Sequence, residues 1–256
     1  MTTNNIVGLT VDTLTLNGTG NVLHGSGGGT LIFRGAGGTN LQTFNDIDFS
    51  AAHTIAATLP VTLSGSNYFS INGAFHSVSF LSVVSGSGSV TVDNGGELHF
   101  GGTQANTMTG KLTVLYGYAI LEKSAGVNAV AGPVETKVGA AGAYIVIQNA
   151  NQIPDANAVT LNQSGILRLY ADEALGNLSL AGGFVQSLGG ALVLSGNVAA
   201  TAASSSIFAP VSLGGTTRTF NVSGTASLTI SGAISNGAAA AGFTKSGTGN
   251  LTLSGA

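Results

Sequence analysis

The sequence predicts an all-β chain wound as a right-handed parallel β-helix, a β-solenoid of about ten to twelve rungs. Three observations predict it. Short apolar–polar–apolar segments recur along the whole chain, each ended by Gly, Asn or Ser. Glycine makes up 40 of 256 residues, and charged residues are only 7% while hydrophobic residues reach 43%. Finally, no stretch carries a convincing 3.6-residue period, and the Ala-rich 238–241 is too short for a helix.

The segments follow one another in order. LTL (14–16), LIF (31–33), IDF (47–49), VTL (61–63), FSI (69–71) and VSF (78–80) come first. VTV (90–92), LHF (98–100), LTV (112–114), AIL (119–121), YIVI (144–147) and VTL (159–161) continue. LRL (167–169), LSL (178–180), LVL (192–194), VSL (211–213), FNV (220–222), LTI (228–230) and LTL (251–253) complete the set. Each alternates as a strand with one buried face does. Strands this short cannot bury that face alone, so they must stack, at ~20–25 residues per rung. The density of glycine favours this over a sandwich.

A long-range repeat supports the stacking. The segment at 58–80, TLPVTLSGSNYFSINGAFHSVSF, has a counterpart at 208–230, FAPVSLGGTTRTFNVSGTASLTI, with Pro60 and Pro210 in equivalent places. Proline immediately before a strand does least harm to a ladder. The expected organisation is a single solenoid with similar blocks at 1–104 and 159–256 and looser rungs at 105–158.

Composition excludes several functions. A net charge of -3 with seven Lys+Arg leaves no basic stripe for nucleic acid. No apolar run approaches the ~18 residues of a membrane helix, and the absence of Trp with 6% aromatics argues against a membrane barrel. Zero Cys removes disulfides and thiolate sites. The start, MTTNN, carries no signal peptide, so the chain either stays inside the cell or is an excised segment.

The stretch GFTKSGTGNLTLSGA (242–256) resembles the passenger-associated repeat of bacterial autotransporters, G-L-T-K-x-G-x-G-x-L-x-L-x-G. A looser copy runs through GSGSVTVDNGGELHFGG (86–102), NTMTG (106–110), LTV (112–114) and AILEKSAGVNAVAG (119–132). There Met108 replaces the family's usual Tyr, and no Gly-Leu-Thr-Lys precedes it. The resemblance implies a surface-displayed or secreted bacterial passenger region, structural or adhesive, with a cell-surface or carbohydrate ligand. Separately, end rungs without a capping helix or a charged, proline-rich strand lead us to expect continuation in a longer chain or association end to end.

No catalytic, cofactor or metal residue is predicted. His24, His53, His76 and His99 show no metal-ligand spacing, and His99 alternates outward between Leu98 and Phe100. Asp46 and Asp48 project from one strand face, where paired carboxylates could hold Ca²⁺ or act as acid and base, but they read as solvated. Asp172–Glu173 and the pair Asp93/Glu97 read as turn residues. Neither a nucleophile elbow nor a Walker loop around Lys111 is present. Phe33, Phe44, Phe49, Phe69, Phe75, Phe80 and Phe100 read as a stacked core, and Tyr116 and Tyr118 as the exposed aromatics. The expected function is a non-catalytic scaffold. The alternative is a carbohydrate-active β-helix enzyme or carbohydrate-binding module; ice binding is disfavoured because Thr13/Thr15 and Thr107/Thr109 do not recur at rung spacing.

Overall fold

The computed structural model describes residues 2–4, 7–18, 20–44, 51–73, 75–137 and 142–255, and only the backbone of 2–4 and 44. Asp46, Asp48 and the segment 47–49 lie outside the described residues. The described chain is all-β, without a helix, and every pairing between its strands is parallel. It is a β-solenoid of about ten turns, and its contacts divide it into two compact units, Met1–Pro133 and Val134–Ala256.

Unit one winds through three sheets in turn. The first stacks Thr2–Asn4, Val22–Gly25, Ala51–Ile55, His76–Phe80, Glu97–Phe100 and Gly117–Leu121. The second stacks Leu9–Val11, Leu31–Phe33, Val61–Leu63 and Val84–Gly86. The third stacks Leu14–Asn17, Leu41–Phe44, Ser66–Ile71, Ser89–Asp93 and Leu112–Val114. Alternation decides the inward face. In His76–Phe80 the residues His76, Val78 and Phe80 are buried, while Ser77 and Ser79 face outward. Rings from all three sheets meet inside: Phe33–Phe69 at 5.4 Å, Phe69–Phe80 at 6.0 Å and Phe80–Phe100 at 6.0 Å between centroids. The expected aromatic stack is present for these four. Phe75 departs from it, 70% exposed in the corner before His76, because it precedes the strand and takes no part in its alternation.

The corners need glycine where rungs touch. A Cβ on Gly110 would sit 2.0 Å from the carbonyl oxygen of Gly88, and one on Gly132 would sit 2.3 Å from that of Gly110. Only hydrogen fits between rungs spaced ~4.8 Å apart when backbone meets backbone.

Beyond Val84–Gly86 the second sheet adds no further strand in unit one among the described residues. Met108, Ala129 and Val130 still fill the core there, so Met108 is a core residue at the position where the resembled repeat has Tyr. A buried side chain takes over the ladder. The Val84 N–H donates to Asn106 Oδ1 at 2.8 Å, and Asn106 Nδ2 donates to the Ala129 carbonyl at 2.7 Å. The amide thereby carries a hydrogen-bond column across a rung that has no strand.

Unit two repeats the winding. Its first sheet holds Ala143–Ile147, Ile166–Leu169, Phe184–Ser187, Ser204–Ile207, Ser227–Ile230 and Asn250–Leu253. The second holds Glu173–Leu175, Leu192–Leu194, Val211–Ser212 and Ile234–Ser235. The third holds Val134–Thr136, Val159–Asn162, Leu178–Ala181, Val198–Ala202, Arg218–Val222 and Phe243–Ser246. The sequence repeat is a structural one. Both copies thread second, third and first sheet in that order, and Pro60 and Pro210 each accept a ladder bond, from Leu31 N–H at 3.0 Å and Leu192 N–H at 2.8 Å.

Glu173 corrects the sequence reading. It opens a second-sheet strand instead of lying in a turn, and its side chain is fully buried. The preceding passage has no strand, and the Glu173 carboxylate stands in for one. It accepts the Gln152 N–H at 2.8 Å and the Ile153 N–H at 2.7 Å. Burial pushes its carboxyl up to about 7 against these two bonds.

Candidate functional site

Of the four histidines, two belong to the core. His53 and His76 are buried on neighbouring strands, with Val78 beside His53 in the ladder. Asn21 Nδ2 donates to His53 Nδ1 at 3.1 Å. Burial, with His76 nearby, lowers the His53 pKa, so this ring is neutral at pH 7. His24 lies half-buried in Val22–Gly25. Among the described residues, no three His, Asp or Glu side chains converge as metal ligands.

His99 does point outward, as its alternation predicts, but two carboxylates hold it. Nε2 lies 3.1 Å from Glu97 Oε2 and Nδ1 lies 3.0 Å from Glu122 Oε1. Glu97 is two residues away on the same strand; Glu122 follows the next strand of the sheet, where Ile120 pairs with His99. Only stacking creates this trio, so the spacing of the sequence does not reveal it. Burial alone would lower the imidazole pKa, yet the two carboxylates outweigh it and raise the value to about 9. The ring is an imidazolium with both N–H groups donating. Since the folded pKa exceeds the unfolded ~6.5, the stabilisation is complete below pH 6.5 and is lost as pH rises through 9. An NMR titration of His99 is expected to show a midpoint near 9, and Glu97→Gln is expected to lower it; a midpoint near 6.5 would refute the trio.

Turn residues behave as expected at 93–97. Asp93 closes a strand, Asn94 and Gly95 take positive φ of 75° and 85°, and Glu97 opens the next strand. Tyr68 donates its hydroxyl to Asp93 Oδ2, and burial together with this carboxylate pushes the phenol up to about 12. Tyr116 is exposed and Tyr118 half-buried.

The surface that stands out is the outer face of the first sheet in unit two. In Phe184–Ser187 the core position is Val185, which sends Phe184 and Gln186 outward. In the next rung Ile207 is buried, and Phe208 is left 49% exposed. The Phe184 and Phe208 rings lie 6.4 Å apart and 23° from parallel. One rung earlier, Arg168 pairs with Gln186 in register, and its guanidinium carbon sits 4.8 Å from the centre of the Tyr144 ring. Tyr170 and Leu188, 42% and 53% exposed, border this group. The neighbouring outward positions, Ser206, Thr229 and Thr252, are small and polar.

Sequence reasoning missed this face because the segments it read pass over GGFVQS and SSSIFA, leaving Phe184 and Phe208 without an assigned face. The alternation itself carries the signal: in GGFVQS and SSSIFA the β-branched Val185 and Ile207 claim the inward positions. Comparison with family models, curated proteins and solved structures finds no match to this chain.

Proposed function

We propose that this chain is a non-catalytic, structural and adhesive β-solenoid segment of the autotransporter-passenger type, acting at a bacterial surface or after secretion. The observation that carries the reading is the outer face of the first sheet in unit two, where the Phe184 and Phe208 rings lie together beside the small polar Ser206, Thr229 and Thr252. Exposed aromatics on a rigid sheet give contact area at little entropic cost. The repeat-like GFTKSGTGNLTLSGA supports the family part. It forms one corner of the winding, with Phe243–Ser246 and Asn250–Leu253 joined at Gly247. A Cβ on Gly247 would lie 2.2 Å from the Val222 carbonyl, so the motif's glycine answers to close packing. Association end to end belongs to the same proposal and draws on a cavity of about 450 Å³ in unit two, lined by polar and apolar groups alike, among them Ile234, Asn236, Phe243 and Leu253.

The enzymatic alternative rests on Asp46 and Asp48, which lie outside the described residues; a carboxylate pair that stacking does bring together is Glu97 and Glu122. His99 stands between these carboxylates and bonds to both, in the space that a scissile oxygen would need, which supports the scaffold reading.

Beads coated with the protein are expected to adhere to glycan-bearing cell surfaces. The double variant Phe184→Ala/Phe208→Ala is expected to lose adhesion by about tenfold or more, equivalent to ~1.4 kcal/mol. Ser77→Ala, on unit one's first sheet, is expected to retain it. Adhesion unaffected by loss of both rings, or absent in the parent protein, would refute the proposal.

A further inference from the structure

We propose that the aromatic face of unit two binds an acidic saccharide, its carboxylate held by Arg168 and its pyranose ring lying against Phe184 and Phe208. The inference rests on the adhesive reading and adds a ligand class to it. It starts from a cation without an anion. No carboxylate lies within ion-pair distance of Arg168 among the described residues, and its Nε is shielded from solvent without a hydrogen-bond partner. The guanidinium is held over the Tyr144 ring, which fixes its plane and withdraws part of it from water. An arginine so placed is charged at every physiological pH and recognises a carboxylate by paired N–H donors. Partial desolvation strengthens that attraction over the same contact in open water.

The ladder then sets what lies beside the anion. Arg168 is in register with Gln186, and the Phe208 N–H donates to the Val185 carbonyl, which places Phe208 next to Gln186 on the following rung. Phe184 pairs with Ile166 on one side and Ser206 on the other, so it lies diagonal to both Arg168 and Phe208. Cation, amide and two nearly parallel rings therefore share one patch about two rungs wide, roughly 10 Å. A pyranose has a C–H face that packs on an aromatic ring, hydroxyls that an amide can both donate to and accept from, and in uronic or sialic acids a carboxylate on the ring. One cation with this amount of ring surface suits one carboxylate per bound sugar. A nucleic acid would demand several cations along its phosphates, and the net charge of -3 opposes it.

The test titrates the full chain, by calorimetry and saturation-transfer NMR, with trigalacturonate and sialyllactose. Their neutral counterparts are methyl-esterified trigalacturonate and lactose. At least one acidic probe is expected to bind, at least about tenfold more tightly than its neutral counterpart and more weakly as salt rises. Arg168→Gln is expected to reduce the acidic probe to the neutral level, and Phe208→Ala to weaken both. Circular dichroism and the thermal midpoint of both variants should match the parent, because these side chains face outward. Equal binding of acidic and neutral sugars, an unchanged affinity in Arg168→Gln, or no binding of either acidic probe at millimolar concentration would overturn the assignment. If Arg168→Gln leaves bead adhesion intact while Phe184→Ala/Phe208→Ala abolishes it, the acidic-sugar assignment falls and the adhesive reading stands. The same result with a protein recovered as the bound partner also overturns the assignment.

Discussion

Phe80→Ala is expected to destabilise unit one by about 3–5 kcal/mol. The ring lies between Phe69 and Phe100, at 6.0 Å from each, and is 1% exposed, so truncation leaves a cavity with aromatic walls that cannot collapse without bending two ladders. Phe69 and Phe100 are fixed by strands on different sheets, Ser66–Ile71 and Glu97–Phe100, which limits relaxation from either side. In a stacked architecture each rung rests on its neighbours, so the loss should spread outward from the cavity. Hydrogen exchange should therefore accelerate in Ala51–Ile55 and Glu97–Phe100, the strands paired with His76–Phe80, more than in Leu9–Val11. Phe80→Leu, which keeps most of the volume, should recover much of the stability. A loss below about 1 kcal/mol, or exchange that rises uniformly, would refute the idea of a ring column as the mechanical centre of this unit.

The inward half of that column was legible because alternation has only two outcomes. Once Val78 and Phe80 share a face in VSF, Ser79 must take the other, and the same rule assigned Phe33 and Phe100. It applies equally to Phe184 and Phe208, but GGFVQS and SSSIFA are not among the segments read, and the outward aromatic surface they form was not foreseen. Other features were beyond any local rule. The Glu97–His99–Glu122 trio exists only because Ile120 pairs with His99, and a shift of one residue in register would disperse it. Asn106 and Glu173 sit among turn-like neighbours and look solvated in sequence. Their burial follows from missing second-sheet strands, whose backbone groups these side chains satisfy. Such loops show no periodicity, so no pattern announces that a polar side chain has replaced a strand. The 150-residue correspondence between Pro60 and Pro210 was legible for the opposite reason, since a repeated fold position repeats its backbone demand.

Lys123 extends the same principle and yields the second large expected effect. It follows a first-sheet strand and reads in EKSAG as an ordinary charged residue before a turn, but it is fully buried. Its Nζ donates to the Gly101 carbonyl at 2.6 Å and to the Ser82 carbonyl at 3.4 Å, oxygens belonging to the two preceding rungs. Lys123→Ala removes both the donor and the packed stem, and about 3–5 kcal/mol of stability should go with them. Lys123→Met keeps the stem and should cost distinctly less. The charge leaves a separate signature. Burial lowers the folded pKa to about 8 from 10.5, so between these values the unfolded chain binds more protons than the folded one. The Lys123 contribution therefore rises as pH increases through that window, opposite to the His99 contribution lost up to pH 9, so the parent's stability should gain on that of Lys123→Met between pH 8 and 10.5. A stability difference between parent and Lys123→Met that stays constant from pH 8 to 10.5 would place the ammonium in water and remove it from the column of carbonyls.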